Sequence, residues 1–248
     1  IIDDARAHFS KTRERYDLIV SEPSNPWVSG VAGLFTTEFY RHISAHLAAD
    51  GHFVQWLHVY ESSPEVTGSI LRAFASVFPE YTAYAANQYD ILLVARNDRR
   101  PPRIDAEALA RLPGLGARLQ EIGITSPAML AAHAAGPGRA IQVLAQSFGT
   151  PPNSDFFPYV DNHAAAARFR RETATQLFAL PLAPVPLLEF WTGAPAHAGQ
   201  VTQANAHMPK HVAMHATAWS GLRYLQGQAL APAEAQRLGP ATVDFALV

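Results

Sequence analysis

The hydrophobic pattern of the first hundred residues predicts strands and helices in alternation. A short apolar run at residues 18–20 predicts a buried strand, and residues 21–26 end it because two prolines there disrupt backbone hydrogen bonding. Apolar residues four positions apart predict a helix over residues 37–49, which Asp50-Gly51 would close. Residues 52–60 predict a second strand. This order is typical of an α/β fold.

Two helices and two strands complete this region. Ser63-Pro64-Glu65 marks the start of a helix after the second strand. Two closely spaced strands are predicted at residues 81–85 and 90–95, joined by a turn at Asn87-Gln88. A helix over residues 3–15 begins with two aspartates, which suit the positive end of a helix dipole. Apolar strands separated by helices predict a doubly wound parallel sheet, and the close pair predicts one antiparallel strand at its edge.

The sequence becomes mostly helical after residue 100. Short helices separated by Gly and Pro are predicted at residues 106–112, 115–122, 127–134 and 139–148, and an Ala-rich helix at residues 164–180. Residues 180–195 are Pro-rich and apolar, and residues 207–238 read as further helix.

Composition narrows the classes of function. With 248 residues, 48% of them hydrophobic, the chain can bury a sizeable core. A formal net charge of −2 gives no electrostatic steering toward nucleic acid or an anionic membrane. The absence of cysteine excludes a disulfide scaffold, a thiol nucleophile and thiolate metal ligands, and it fits the cytoplasm. No apolar run reaches the roughly 18–20 residues that a membrane-spanning helix requires.

The first residues read as the end of a strand rather than the start of a protein. The chain begins with Ile1-Ile2 instead of Met and runs directly into Asp3-Asp4. We therefore expect the sequence to be a fragment of a longer protein.

Glu22 is the strongest candidate for catalysis. It follows the first predicted strand, and ligands of open α/β sheets bind just beyond the carboxyl ends of strands. The rigid residues 23–26 could hold its carboxylate still and partly desolvated, as a general base acting on an amine requires. From these features alone, capping of a turn or pairing with Arg41 explains the residue equally well.

Other polar residues near the strand ends have two interpretations each. Ser24 and Asn25 either bind a ligand or form an Asx-type turn, and the turn is favoured. Asp4 either accepts a hydrogen bond from a ligand amino group or caps the first helix, and the cap is favoured. Gln55 either lines a pocket or faces solvent on an alternating strand.

The histidines near the carboxyl terminus do not predict a metal site. His207, His211 and His215 would share one helical face, but no acidic ligand accompanies them in an HExxH-like pattern. A solvated or half-packed helix face is favoured, and we expect no metal. No GxSxG serine nucleophile motif occurs, and no Gly-rich phosphate loop follows a strand.

Several segments together resemble the polyamine aminopropyltransferases, the spermidine synthase family. The most specific likeness is YDLIVSEPSNPW at residues 16–27, followed by LFTTEFY. GHFVQW at residues 51–56, Asp4-Ala5 and Asn153-Ser154-Asp155 resemble three further family motifs. The likeness runs to about residue 169 and is closest to bacterial relatives that often carry an N-terminal membrane region.

The resemblance implies a Rossmann-like α/β fold, shared with S-adenosylmethionine-dependent methyltransferases. Residues 1–100 would be the C-terminal half of that domain, residues 101–180 its helical extension, and residues 181–248 a Pro-rich, then helical tail. The implied activity is transfer of an aminopropyl group from decarboxylated S-adenosylmethionine to putrescine or a similar amine. Two alternatives stay open: a methyltransferase that uses S-adenosylmethionine itself, and a non-catalytic domain of a membrane protein that binds a nucleoside or a partner.

The resemblance also implies roles by motif position. Glu22 stands where the family has a catalytic Asp that deprotonates the attacking amine. The other implied site residues are Asp4, Ala5 and Ser21 for the nucleoside co-substrate, and Ser24, Asn25, Gln55 and Asp155 for the amine. We expect a small-molecule amine as partner and no nucleic acid, with a homodimer and a membrane region in the parent protein as further expectations.

Overall fold

The computed structural model describes residues 2–87, 89–102, 104–105, 108–109, 111–124 and 133–174. Its elements are, in chain order, α1 (Ala5–Lys11), β1 (Tyr16–Ser21), a 3-10 helix (Val31–Phe35), α2 (Thr37–His46), β2 (Leu47–His58), α3 (Pro64–Val77), β3 (Tyr81–Ala85), β4 (Asp90–Arg96), α4 (Leu115–Glu121), β5 (Ala134–Pro137), α5 (Gly138–Ser147) and α6 (Tyr159–Phe169). The chain divides into two compact units, residues 1–103 with 134–179, and residues 104–133 with 180–248.

The five strands form one sheet in the order β1-β2-β4-β3-β5. β1 and β2 pair in parallel, whereas the other three neighbouring pairs are antiparallel. This mixed sheet, with α2 and α3 as the connections between β1, β2 and β3, confirms the predicted Rossmann-like α/β fold. The antiparallel strand predicted at the edge is nevertheless interior. The chain passes through α3 and places β3 two positions from β2 in the sheet, which leaves room for one strand between them. β4 occupies that position and hydrogen-bonds to both β2 and β3.

One face of the sheet forms the core with α2 and α3. Phe53 of β2 stacks on Phe74 of α3 with ring centroids 5.7 Å apart, and Tyr40 of α2 contacts both rings at 6.0 and 5.2 Å. All three side chains are fully buried. Aromatic pairs of this kind contribute about 0.5–1.5 kcal/mol each beyond the apolar area that they bury, so they fix how these helices lie on the sheet.

The opposite face of β1 is exposed, so β1 is buried on one side only. Ile19 is buried with the core, but Leu18 and Val20 are 58% and 60% exposed. Within the described residues β1 pairs with β2 alone. The prediction of a fully buried strand is therefore wrong for this part of the chain, because an apolar run of three residues does not show whether both faces of a strand are covered.

The predicted helix over residues 37–49 ends at His46, and β2 begins directly afterwards. Tyr16 pairs with Leu47 and Leu18 with His52, so β2 bulges between these two pairs. Within the bulge, a Cβ on Gly51 would lie 2.8 Å from the carbonyl oxygen of Tyr16. Glycine is needed here for close backbone approach in a strand, and not to close a helix as predicted.

Other predicted boundaries shift as well. Ile2 is fully exposed and belongs to no strand, which corrects the expected strand end, and Ile1 lies outside the described residues. The strands β3 and β4 and the helices α3, α4 and α5 are confirmed within a few residues. The unpredicted strand β5 occupies residues 134–137, and α6 begins five residues before its predicted start and ends at residue 169.

Part of the prediction lies outside the described residues. This applies to most of the predicted helix at residues 127–134, to the Pro-rich and helical tail, and to the three tail histidines. In the portion of the chain that the structure describes, no helix is both long and apolar enough to cross a bilayer.

Candidate active site

Glu22 is the first residue after β1, at the carboxyl end of the parallel β1–β2 pair. Its side chain is exposed and makes no hydrogen bond or ion pair with another described residue. Arg41, the alternative partner considered from the sequence, instead lies 3.9 Å from a carboxylate oxygen of Glu38. The Glu22 carboxylate is therefore free to meet a ligand.

The loop after Glu22 is anchored at both of its prolines. Pro23 and Pro26 are buried, while Ser24 between them is exposed. The side-chain oxygen of Asn25 accepts a hydrogen bond from the hydroxyl of Tyr60 at 3.4 Å, and its backbone oxygen accepts one from the amide of Val28 at 2.9 Å. The turn is therefore made by backbone atoms, and the Asn25 side chain bonds to Tyr60, two residues beyond the end of β2, instead of forming the expected Asx-type turn.

Gln55 lies in β2 directly opposite Ser21 and is completely buried. Its Nε2 donates to the carbonyl oxygen of Trp56 at 2.8 Å and to that of Ser21 at 3.4 Å, and its Oε1 has no hydrogen-bond partner among the described residues. Burial excludes the solvent-facing interpretation. The amide nitrogen ties the ends of β1 and β2 together, and only the oxygen remains for another contact.

Strand alternation places Trp56, and not Gln55, on the side of Glu22. Paired residues of a parallel ladder point to the same face, so Ser21 and Gln55 share the core face. Alternation carried one residue beyond β1 puts Glu22 on the opposite face with Trp56 and His58. The sequence contains an indication of this face, because the ring-bearing residues Trp56, His58 and Tyr60 alternate along it. The likeness of GHFVQW to a family motif predicts a site role for Gln55 alone.

His58 is enclosed by aromatic rings. Its ring centroid lies 5.1 Å from Trp27, 5.1 Å from Trp56 and 4.5 Å from Tyr60. The side chain is fully buried, and neither ring nitrogen has a hydrogen-bond partner among the described residues. Burial lowers the pKa of His58 from 6.5 to about 4, partly offset by the nearby carboxylate of Asp90. The imidazole is therefore neutral at physiological pH.

A second group of predicted site residues meets at the start of α1. Asp4 caps this helix, as favoured from the sequence, because its Oδ1 accepts the amide hydrogen of Ala7 at 2.9 Å. Two residues later, Arg6 forms a two-point ion pair with Asp155 and also donates to the carbonyl oxygen of Gly33 at 3.1 Å. The hydrogen bond from Arg6 lowers the pKa of Asp155. Asp155 therefore holds α1 through Arg6 in the part of the protein that is described.

Asn153 of the same motif is buried and joins three elements. Its Nδ2 donates to the carbonyl oxygens of Ala32 and Phe35 at 3.2 and 3.1 Å, and its Oδ1 accepts the amide hydrogen of Val160 at 3.1 Å. Beside it, a cavity of about 350 Å³ is lined by the 3-10 helix region and by residues 153–161, including Asp155. Glu22 and Gln55 do not line this cavity.

The predicted site residues thus form two groups. Ser21, Glu22, Ser24, Asn25 and Gln55 lie at the ends of β1 and β2, whereas Asp4, Ala5 and Asp155 lie around Arg6. Within the described ranges, no hydrogen bond or ion pair joins the groups, and no cluster of three or more His, Cys, Asp or Glu side chains could hold a metal ion.

Comparison with known proteins gives partial similarity. The polyamine aminopropyltransferase of Bacillus subtilis is 33% identical over 86 residues, which is 35% of this chain and 31% of that protein. The polyamine aminopropyltransferases of Bacillus cytotoxicus and Bacillus mycoides are each 30% identical over a span of the same length. The chain thus matches about a third of the length of these relatives, and no protein-family model matches it. Over about a third of its length, the chain is a homologue of the polyamine aminopropyltransferases, as its motifs indicated.

Proposed function

We propose that this chain carries the amine-activating side of an aminopropyltransferase. The observation that carries the proposal is the free carboxylate of Glu22, held at the carboxyl end of β1 by two buried prolines. Glu22 accepts a proton from the attacking amine while the amine nitrogen bonds to the aminopropyl carbon that is attached to the sulfonium sulfur. The bond from that carbon to the sulfonium sulfur breaks, its electron pair stays on sulfur, and 5′-methylthioadenosine leaves.

The nucleoside co-substrate, decarboxylated S-adenosylmethionine, fits the exposed start of α1. Asp4 uses Oδ1 for its helix cap and leaves Oδ2 without a partner among the described residues, so this oxygen can accept an adenine amino hydrogen. Ala5 follows without a bulky side chain, and Ser21 lies at the end of β1. Arg6 and Asp155 keep this helix start in place through their ion pair.

The acceptor amine fits the loop after β1. Asn25, with Tyr60, and Ser24 supply polar groups in the loop that follows Glu22. Gln55, although its Oε1 is unpaired among the described residues, is buried on the core face of β2 and supports the ends of the strands instead of meeting the amine. The second candidate function is methyl transfer from S-adenosylmethionine, because no described contact distinguishes this donor from its decarboxylated form. The choice of donor is therefore part of the test.

The test measures 5′-methylthioadenosine formed from decarboxylated S-adenosylmethionine and 1,4-diaminobutane by the protein expressed at its natural length. Replacing Glu22 with Gln removes the base without changing its size, and we expect kcat to fall about 10²- to 10⁴-fold. Glu80→Gln is the matched control, because Glu80 is exposed at the start of β3, at the other end of the sheet. It should leave the rate unchanged.

Two outcomes would overturn the proposal. Full transfer activity in Glu22→Gln would remove Glu22 from the chemistry. Transfer of a methyl group from S-adenosylmethionine, with no product from the decarboxylated donor, would replace the proposed reaction by methyl transfer.

A further inference from the structure

The segment that follows α6 is tied to the segment that follows β2. Tyr60 and Thr173 form an antiparallel bridge, and the amide of Ala174 donates to the carbonyl oxygen of Val59 at 2.8 Å. Hydrogen bonds between backbone atoms fix the two segments in register. The carboxyl end of α6 therefore has a defined position beside the end of β2.

Both segments turn sharply next to this bridge. Glu61 and Arg171 have φ angles of 48° and 53°, in the left-handed region that residues other than glycine rarely adopt. Backbone strain of this kind persists only where the surrounding structure holds it in place. Glu61 is held in addition by an ion pair with the last turn of α6, because its Oε2 lies 3.5 Å from the Nε of Arg168.

Arg168 also contacts the loop that follows β1. Its guanidinium carbon lies 5.2 Å from the centroid of the Trp27 ring, which is the geometry of a cation–π contact. The planar guanidinium group of arginine can stack on a ring and pair with a carboxylate at the same time. Arg168 therefore joins three parts of the chain: α6, the segment after β2 that carries Glu61, and the loop after β1 that carries Trp27.

These contacts contribute little to the stability of the fold as a whole. The side chains of Arg168 and Glu61 are 57% and 37% exposed, and solvent screens an ion pair at that exposure. The half-buried ring of Trp27 also packs against His58 and Tyr60, so its place in the aromatic cluster does not depend on Arg168 alone. We therefore expect Arg168 to act locally, on the loop after β1.

The same loop carries Glu22, five residues before Trp27. Pro23 and Pro26 lie between them, and proline fixes one of the two soft backbone dihedrals of a residue, so a movement of Trp27 is transmitted along the loop. A displacement of about 1 Å at a reacting group can cost about 100-fold in rate. The precision with which the Glu22 carboxylate is held thus depends on how firmly Trp27 is held.

We propose that Arg168 is a positioning residue, which stacks on Trp27, pairs with Glu61 and so holds the loop after β1 in the arrangement that places the carboxylate of Glu22. The catalytic consequence rests on the proposed aminopropyl transfer, whereas the restraint on the loop is independent of any reaction. Arg168 acts through the loop, and Glu22 alone acts on the reacting nitrogen.

The first test measures amide hydrogen exchange of residues 24–31 by mass spectrometry in the protein at its natural length. Arg168→Met keeps the apolar stem and removes the cation, so exchange of these amides should become about 3- to 10-fold faster, while the urea midpoint of global unfolding stays unchanged. Arg170→Met is the matched control, because Arg170 is equally close to the end of α6 and pairs with Glu172 at 3.5 Å. It should leave the exchange of residues 24–31 unchanged.

The second test asks whether Arg168 acts through Glu22. In the wild-type background, Arg168→Met should lower kcat for aminopropyl transfer about 3- to 10-fold and change KM little, because the restraint acts on the base. In the Glu22→Gln background the same substitution should have no further effect on kcat, since the group that it positions is gone. A substitution that only loosens the structure would lower kcat in both backgrounds.

Three results would overturn the inference. They are unchanged exchange of residues 24–31 in Arg168→Met, faster exchange accompanied by a lower urea midpoint, and an equal loss of kcat with and without the Glu22 carboxylate. If the wild-type protein transfers no aminopropyl group, the proposed function fails, and faster exchange in Arg168→Met but not in Arg170→Met would still support the restraint on the loop.

Discussion

Replacing Asn153 with Ala is expected to destabilise the fold severely. The side chain is 1% exposed and serves the carbonyl oxygens of Ala32 and Phe35 and the backbone amide of Val160, all of which belong to buried residues. Alanine would remove all three of these hydrogen bonds. These bonds hold the 3-10 helix and the start of α6 together, and among the residues that the structure describes no other side chain bonds to the same three atoms.

The magnitude follows from the three lost partners. A buried donor or acceptor left unsatisfied costs about 1–3 kcal/mol, and local relaxation relieves part of the total, so we expect a loss of about 3–6 kcal/mol. Domains are stable by about 5–15 kcal/mol, so the variant would keep only part of its stability. Asn153→Asp should be at least as damaging near neutral pH, because a buried carboxylate would face the two carbonyl oxygens.

Urea titration followed by circular dichroism at 222 nm measures the free energy of unfolding. Asn162→Ala is the control, since this asparagine is exposed on α6 and its substitution should change stability by less than about 0.5 kcal/mol. A loss below about 1 kcal/mol in Asn153→Ala would show that the three backbone groups find other partners, and it would refute the reasoning.

Two further predictions concern packing and pH. A Cβ on Gly138 would lie 2.3 Å from the buried ring of Tyr81, so Gly138→Ala should lose about 1–3 kcal/mol in urea titration despite better helix propensity, whereas Gly116→Ala, which meets no atom within 4 Å, should lose nothing. The pKa of His58 is lowered to about 4, so between pH 6.5 and 4 the unfolded chain binds a proton that the folded protein does not. As the pH is lowered through that window, the free energy of unfolding of the wild type should fall by up to about 3 kcal/mol more than that of His58→Phe. Parallel pH dependence of the two proteins would contradict the lowered pKa of His58.

Local sequence signals were sufficient for most elements. The start of α3 illustrates this, because Ser63 accepts the amide hydrogen of Val66 and Pro64 occupies the first turn, as the Ser-Pro-Glu pattern predicted. The strand at residues 18–20, the close strand pair and the cap at Asp4 were also recognisable, because each depends on residues adjacent in the chain.

Pairing between distant residues was not visible in the sequence. The bulge that begins β2 at Leu47 depends on the approach of Gly51 to Tyr16, and the interior position of β4 depends on where α3 delivers β3. Asp155 was predicted as a substrate contact, but its ion pair with Arg6, far away in the chain, was not foreseeable from either segment.

The sequence by itself determined the elements, the family resemblance and the position of Glu22 at the end of β1, because these follow from local propensity and from motifs of contiguous residues. Only the tertiary structure decided which side chains share a face with Glu22. Strand alternation in register with β1 turns Gln55 into the core and brings Trp56 and His58 to the side of the carboxylate. A shift of one residue in that register would reverse this arrangement, and hydrogen bonding between separate strands is what fixes it.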